Sequence, residues 1–292
     1  MRFTSDAELV LAVLGEDRAF EDLTCASLKT AAGSRIIPAD MPFSILAKAD
    51  GIFSGANWFG AFEEIFELKD AKIFSEGREF KRGERVVVAR GDPFKILSFE
   101  RTLLNGLQQF CGVAGLTRQA VDLVRARWNE LGQAGEPPLV LHTRKTLPLL
   151  RKFQVEAVVA GGGKRHRENL SDRILVKENH KDLCKTLGLS FSDYVGSLPA
   201  GAQVEVESAT EALLVAAAGV RDILLDNFPP AQVLELLPRL PAGVVVEVSG
   251  GLNLENLASF VIPGVRRLSL GALTHSVRAV DLSLDLEFRH AC

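Results

Sequence analysis

Five basic residues stand behind short apolar runs in the second half of this chain: Arg144 and Lys145, then His166 and Arg167, then Lys177. Two acids, Glu205 and Asp226, lie within and at the end of two further runs. Arginine grips a carboxylate or phosphate through two parallel N–H donors, while lysine supplies a point charge. Thr143 and Ser249 add hydroxyls, and Gly250, Gly251 and Gly271 let backbone N–H groups come close to a phosphate. The set suits a strongly anionic small molecule together with a divalent ion or ribose hydroxyls. Arg101 and Arg118 add cations on the helical stretch that precedes the runs.

Each residue also has a plainer reading. Arg144-Lys145 could be a solvated surface pair, His166 a rim or core histidine, Asp226 a strand-end cap, and Arg118 an ordinary helix charge. Glu205 alternates with Val204 and Val206 and needs a partner if buried, which favours a metal or hydroxyl role. Position behind a buried strand is what favours function for the group as a whole. His142 and His180 read as structural or peripheral, and His290 as part of a frayed tail. No G-x-G-x-x-G or G-K-S/T pattern follows a strand, which argues against a dinucleotide fingerprint or a P-loop. No nucleophile–base–orienter triad stands out.

The elements that must position these residues are short. The runs are Leu139–Leu141, Ala157–Val159, Ile174–Val176, Val204–Val206, Ile223–Leu225, Val244–Val248 and Leu268–Leu270, with helix-like stretches such as Ala209–Ala218 and Pro230–Leu237 between several of them. Buried strands alternating with helices predict a parallel β/α topology with its chemistry at the carboxyl ends of the strands. Ahead of them, Ser5-Asp6-Ala7-Glu8 reads as a capping box with Gly15 as the stop. Strands are expected near Ser44–Ala49, Ala71–Phe74, Arg85–Ala89 and Lys95–Ser98. One amphipathic helix is expected over Asn57–Leu68, and Gly91-Asp92-Pro93 reads as a turn. A helical stretch follows from Phe99 to about Leu131, with a break expected near Gly112–Gly115.

Composition narrows the class. The chain has 292 residues, 47% hydrophobic and 24% charged, with a formal net charge of −3, which fits a globular protein and offers no basic excess for nucleic acid. The four cysteines, Cys25, Cys111, Cys184 and Cys292, are widely spaced, so the expectation is a reducing cytoplasm rather than a disulfide framework or zinc ribbon. No apolar run reaches 18 residues, so no membrane span is expected. The apolar stretch Leu9–Leu14 is flanked by acids, the wrong charges for an export signal.

Several of these stretches, in order, resemble the quinolinate phosphoribosyltransferases, the decarboxylating nicotinate-nucleotide pyrophosphorylases. They are Glu100–Asn105, Thr143–Thr146, Gly161–Gly163 with His166-Arg167, Leu175–His180, Leu225–Asn227, Val248–Gly251 and Leu270–His275. The resemblance runs over roughly residues 5–286. It implies an α/β fold: an N-terminal open α/β sandwich domain (1–109, with 273–292 packing back on it) and an incomplete seven-stranded β/α barrel (110–272). It also implies quinolinate and phosphoribosyl pyrophosphate as substrates, Mg²⁺ as cofactor, and nicotinate mononucleotide, pyrophosphate and carbon dioxide as products. By matching position, Arg101, Arg144, His166, Arg167 and Lys177 would hold the quinolinate carboxylates, with Arg101 lent to a neighbouring subunit in at least a homodimer. Thr143 falls in the same motif as a substrate contact, and Lys145 would touch both substrates as a catalytic residue. Glu205 and Asp226 would hold ribose hydroxyls or Mg²⁺ and complete the catalytic set. Ser249, Gly250, Gly271 and His275 would bind phosphate, and Arg118 a pyrophosphate or substrate group.

The chain departs from the family pattern at Glu21, His142, Lys164-Arg165, Glu168-Asn169 and Gln203, the last replacing a usual acid. None of these removes a proposed ligand. The rival readings are a molybdenum-transport-associated homologue with another substrate, a nicotinate-using phosphoribosyltransferase, and a non-catalytic dimeric ligand-binding relative.

Overall fold

The computed structural model describes residues 3–36 and 38–287; His290 and Cys292, considered above, lie outside them. The chain opens with α1 (Asp6–Glu16), whose N-cap Ser5 accepts from the Glu8 N–H, and α2 (Leu23–Ala32), capped in the same way by Asp22. Then come β1 (Met41–Ala47), β2 (Gly51–Ile52), α3 (Ala56–Phe66), β3 (Lys69–Ile73), β4 (Glu79–Phe80) and β5 (Arg85–Gly91). The long α4 (Pro93–Glu130) follows. After it run β6 (Leu139–Leu141), α5 (Arg151–Ala160), β7 (Leu175–Val176), α6 (Glu178–Thr186), α7 (Phe191–Gly196), β8 (Gln203–Val206) and α8 (Ala209–Ala217). The chain closes with β9 (Asp222–Asp226), α9 (Pro230–Leu236), β10 (Val245–Ser249), β11 (Val265–Ser269), α10 (Ala272–His275) and β12 (Leu282–Leu286).

Two compact units result. The first holds the described residues of 3–116, 148–161 and 277–287. Its antiparallel sheet has the order β12-β1-β5-β3, so the last strand of the chain pairs with the first, Phe43 opposite Leu286. Aromatic rings fill this unit: Trp58 meets Phe62, Phe110 and Phe153 edge-on at 5.3–5.7 Å, and Phe66 lies 4.7 Å from Phe99.

The second unit, 117–147 with 162–276, is the β/α half. Its six strands pair in parallel in the order β6-β11-β10-β9-β8-β7. A single bridge from Leu141 to Lys164 extends the sheet on the free side of β6. The result is an incomplete, barrel-like cylinder whose seventh member is one residue long.

Three expectations are corrected. Ala157–Val159 is the end of α5, not a strand, because Phe153 and Ala157 sit a helical turn apart and bury together; a short apolar run does not by itself separate the two periods. Lys95–Ser98 lies in the first turns of α4, where the Asp92 carboxylate accepts from the Phe94 N–H at 2.8 Å and Pro93 follows the cap. The α4 helix runs unbroken through Gly112 and Gly115. Gly112 is a close approach: a Cβ there would meet the Arg278 carbonyl at 2.4 Å. The compact units divide inside α4, between Leu116 and Thr117, and α5 belongs to the first unit through Phe153.

Candidate active site

The carboxyl ends of the parallel strands open on one cavity of about 750 Å³ within the second unit. Behind β6, the loop carrying Thr143, Arg144 and Lys145 is pinned at both ends. The Lys145 N–H donates to the Thr143 hydroxyl at 3.2 Å, and the Thr274 hydroxyl donates to the Lys145 carbonyl at 2.7 Å. Lys177 ends β7 as the N-cap of α6, its N–H held by His180 Nδ1 at 3.0 Å. His166 and Arg167 lie on the loop that follows the Lys164 bridge. All of these cations except His180, which is only a cap, line the cavity.

Arg144 and Arg167 make no ion pair among the described residues, and Arg144 Nε is buried without a hydrogen-bond partner. Burial, then the neighbouring Arg144 and Arg173 charges, push the Arg167 guanidinium below its ordinary value. Like charges held together in a partly dry site favour an anion between them.

The acids occupy the adjacent wall. Glu205 in β8 pairs with Lys177, and Asp226 ends β9, where the Asn227 amide donates to its carboxylate at 2.8 Å. Burial, then the Glu205 charge, push the Asp226 carboxyl up. Asn227 sits at φ +58°, and its N–H donates to the Ser249 carbonyl at 2.9 Å. It also explains Gly250: a Cβ on that residue, at φ +94°, would meet Asn227 Oδ1 at 2.3 Å. Ser249, Gly250, Gly251, Gly271 and His275 complete the rim.

Among the described residues no group of three or more His, Cys, Asp or Glu forms a metal cage. The Glu205–Asp226 pair nevertheless fits Mg²⁺, which is typically held by one or two carboxylates and substrate phosphates, and a cation would relieve the repulsion that raises Asp226.

The comparisons with known proteins point the same way. The N-terminal domain of quinolinate phosphoribosyl transferase matches residues 22–111 and its C-terminal domain residues 113–285. The chain belongs to the quinolinate phosphoribosyltransferase family. It is 36% identical over 249 residues to a protein of Bacillus subtilis named "Probable nicotinate-nucleotide pyrophosphorylase", carboxylating, covering 83% of this chain and 82% of that one. A Methanothermobacter thermautotrophicus protein of the same name is 33% identical, covering 96% and 98%. The crystal structure of nicotinate-nucleotide pyrophosphorylase from Ehrlichia chaffeensis superposes with a TM-score of 0.83 at 27% identity, covering 98% of this chain and all of that one.

Of the residues that the family pattern pointed to, the twelve from Thr143 to His275 all line the cavity. Arg118 lies on α4 and does not line it. Arg101 is in the first unit, on a separate pocket lined by Asp17, Arg18, Asp22 and Ser98. Arg165 and Glu168 pair with each other and stay off the cavity wall.

Two cavity residues escaped the sequence reading. His142, read as structural or peripheral, is fully buried and also lines the cavity; burial pushes its imidazole down, its Nδ1 meets the Thr143 carbonyl at 3.0 Å, and its Nε2 accepts the His166 N–H at 3.0 Å. Glu247 lay hidden inside the run Val244–Val248. Its signal was a charge at the centre of an otherwise apolar strand, a position that demands a partner.

Proposed function

We propose that this chain transfers the phosphoribosyl group of phosphoribosyl pyrophosphate to the ring nitrogen of quinolinate, with loss of one carboxyl group as carbon dioxide. The observation that carries the reading is the pair Arg144 and Arg167, which make no ion pair among the described residues and share the cavity with Lys145, Lys177 and His166. Two carboxylates on one pyridine ring, beside a phosphorylated sugar, are the matching charge.

The cations neutralise quinolinate and aim its ring nitrogen at the anomeric carbon, which turns a bimolecular encounter into a positioned one. Gly250, Gly251 and Gly271 line the cavity where their backbone N–H groups would bind the phosphates, and Lys145 lies against Gly271, where it would reach both substrates. Glu205 and Asp226 bind ribose hydroxyls and would hold Mg²⁺, which when bound neutralises pyrophosphate charge. After transfer the ring nitrogen is cationic, and the electron pair left by the departing carboxyl group sits beside that charge until a proton replaces it. No covalent bond to the enzyme is needed.

We further infer a homodimer in which Arg101 completes a neighbouring subunit's site. The cytoplasm is the inferred location: Cys25, Cys111 and Cys184 are free and buried, and no described helix is long and apolar enough to cross a membrane. The test is to mix the chain with quinolinate, phosphoribosyl pyrophosphate and Mg²⁺ and follow carbon dioxide and nicotinate mononucleotide together. Equal turnover with nicotinate, which has one carboxylate and releases no carbon dioxide, overturns the reading.

A further inference from the structure

Beneath the cavity the barrel interior is not an apolar layer. Glu247, in the middle of β10, is fully buried. Its Oε1 accepts from the Ser269 hydroxyl at 2.6 Å and lies 3.1 Å from His166 Nε2. Its Oε2 accepts from the Gln203 amide at 2.9 Å and lies 3.0 Å from Arg267 Nε. The two nitrogen contacts from His166 and Arg267 are close charge contacts, out of line for hydrogen bonds. Arg267 pairs in turn with Asp222, which meets Arg173 at 3.1 Å.

A parallel barrel usually fills this level with Val, Ile and Leu. A carboxylate here is costly unless every oxygen is partnered. Burial pushes the Glu247 carboxyl up, but His166, Ser269 and Arg267 outweigh it and bring it to about 2. Ser269 and Gln203 explain how Glu247 is held. What it does is shown by the face toward the cavity, where His166 stands on it. The His166 backbone is tied to His142, its Nε2 is turned to Glu247, and Nδ1 is the ring nitrogen left for a ligand.

We propose that Glu247 is a positioning residue of the substrate site: its carboxylate, against His166 Nε2, fixes the imidazole ring so that Nδ1 faces a carboxylate of the bound pyridine acid. Gln203 serves the arrangement, since its amide can donate to Glu247 where an ionised acid could not. The inference rests on the quinolinate reading above.

The experiment is steady-state kinetics of the full chain carrying Glu247→Gln, with each substrate varied in turn. The expected result is a rise of about tenfold or more in the quinolinate KM, the scale of one lost charged hydrogen bond. The KM for phosphoribosyl pyrophosphate should stay within about twofold. An unchanged quinolinate KM, or both KM values rising together, overturns the proposal. If Glu247→Gln does not fold, Ser269→Ala frees the carboxylate without removing it. A selective rise in quinolinate KM then supports the proposal and no change refutes it. In the background of His166→Ala, loss of the Glu247 carboxylate should add little, whereas full additivity also refutes it. A wild-type chain without quinolinate turnover would sink the functional reading instead, so the two failures are separable.

Discussion

The two units of this protein fill their interiors with opposite materials. The first packs rings: Phe43, Phe62, Phe66, Phe99, Trp58, Phe110 and Phe153 touch one another around the antiparallel sheet. The second places Glu247, Gln203, Ser269 and Arg267 in the middle of its parallel cylinder, all but Arg267 fully or nearly fully buried. Apolar packing is tolerant in chemistry and strict in volume, while a buried polar column is strict in both. The contrast teaches that the first unit is built for stability and that the second gives up part of it to hold charges under a substrate cavity.

The largest effect expected along this contrast is kinetic. Arg144→Ala should lower kcat/KM for quinolinate by roughly a thousandfold, about 4 kcal/mol of transition-state stabilisation, while leaving the urea midpoint nearly unchanged. A variant with near wild-type activity would place the anion site elsewhere. In the first unit, Trp58→Ala should cost about 3–5 kcal/mol by urea unfolding, because its ring is enclosed by three others and its indole N–H donates to the Leu103 carbonyl at 3.1 Å. The same change should leave the quinolinate KM of the folded enzyme near wild type.

Acid should separate the units next. The Glu247 carboxyl is depressed from 4.5 to about 2, so the stability it contributes is present above the unfolded value and is lost as pH falls through that window. Urea midpoints measured from pH 5 down to 2 should therefore fall less steeply in Glu247→Gln than in wild type, and an identical slope would break the link. The smallest effect belongs to the cap of α2. Asp22 accepts from the Thr24 and Cys25 N–H groups at 2.9 and 3.0 Å, and Asp22→Ala should cost about 1 kcal/mol by the same measurement.

Much of the site was legible in residue order, for a local reason. In a parallel β/α unit a strand is followed at once by the residues on its carboxyl end, so Thr143-Arg144-Lys145, Lys177, Asp226 and Ser249-Gly250 announce themselves by what precedes them. Glu205 was legible because an acid alternated with valines. The errors came where local signal serves two structures. Ala157–Val159 has the composition of a strand and the period of a helix, and Gly112 has the look of a break but is a contact surface for the Arg278 carbonyl. Glu247 carried the same signal, an acid among valines, but its partners His166, Ser269 and Arg267 come from other segments and only the fold brings them to it.

Sequence by itself determined which residues carry the chemistry and that they follow strands, because charge type and strand ends are properties of short segments. Tertiary structure alone decided which of them share a cavity. It set Glu247 beside Arg267 across neighbouring strands, stood His166 on that carboxylate, and kept Arg118 off the wall. Those outcomes depend on register and on contacts between residues as far apart in sequence as Lys145 and Thr274, and a buried charge acquires its partner only when the sheet closes around it.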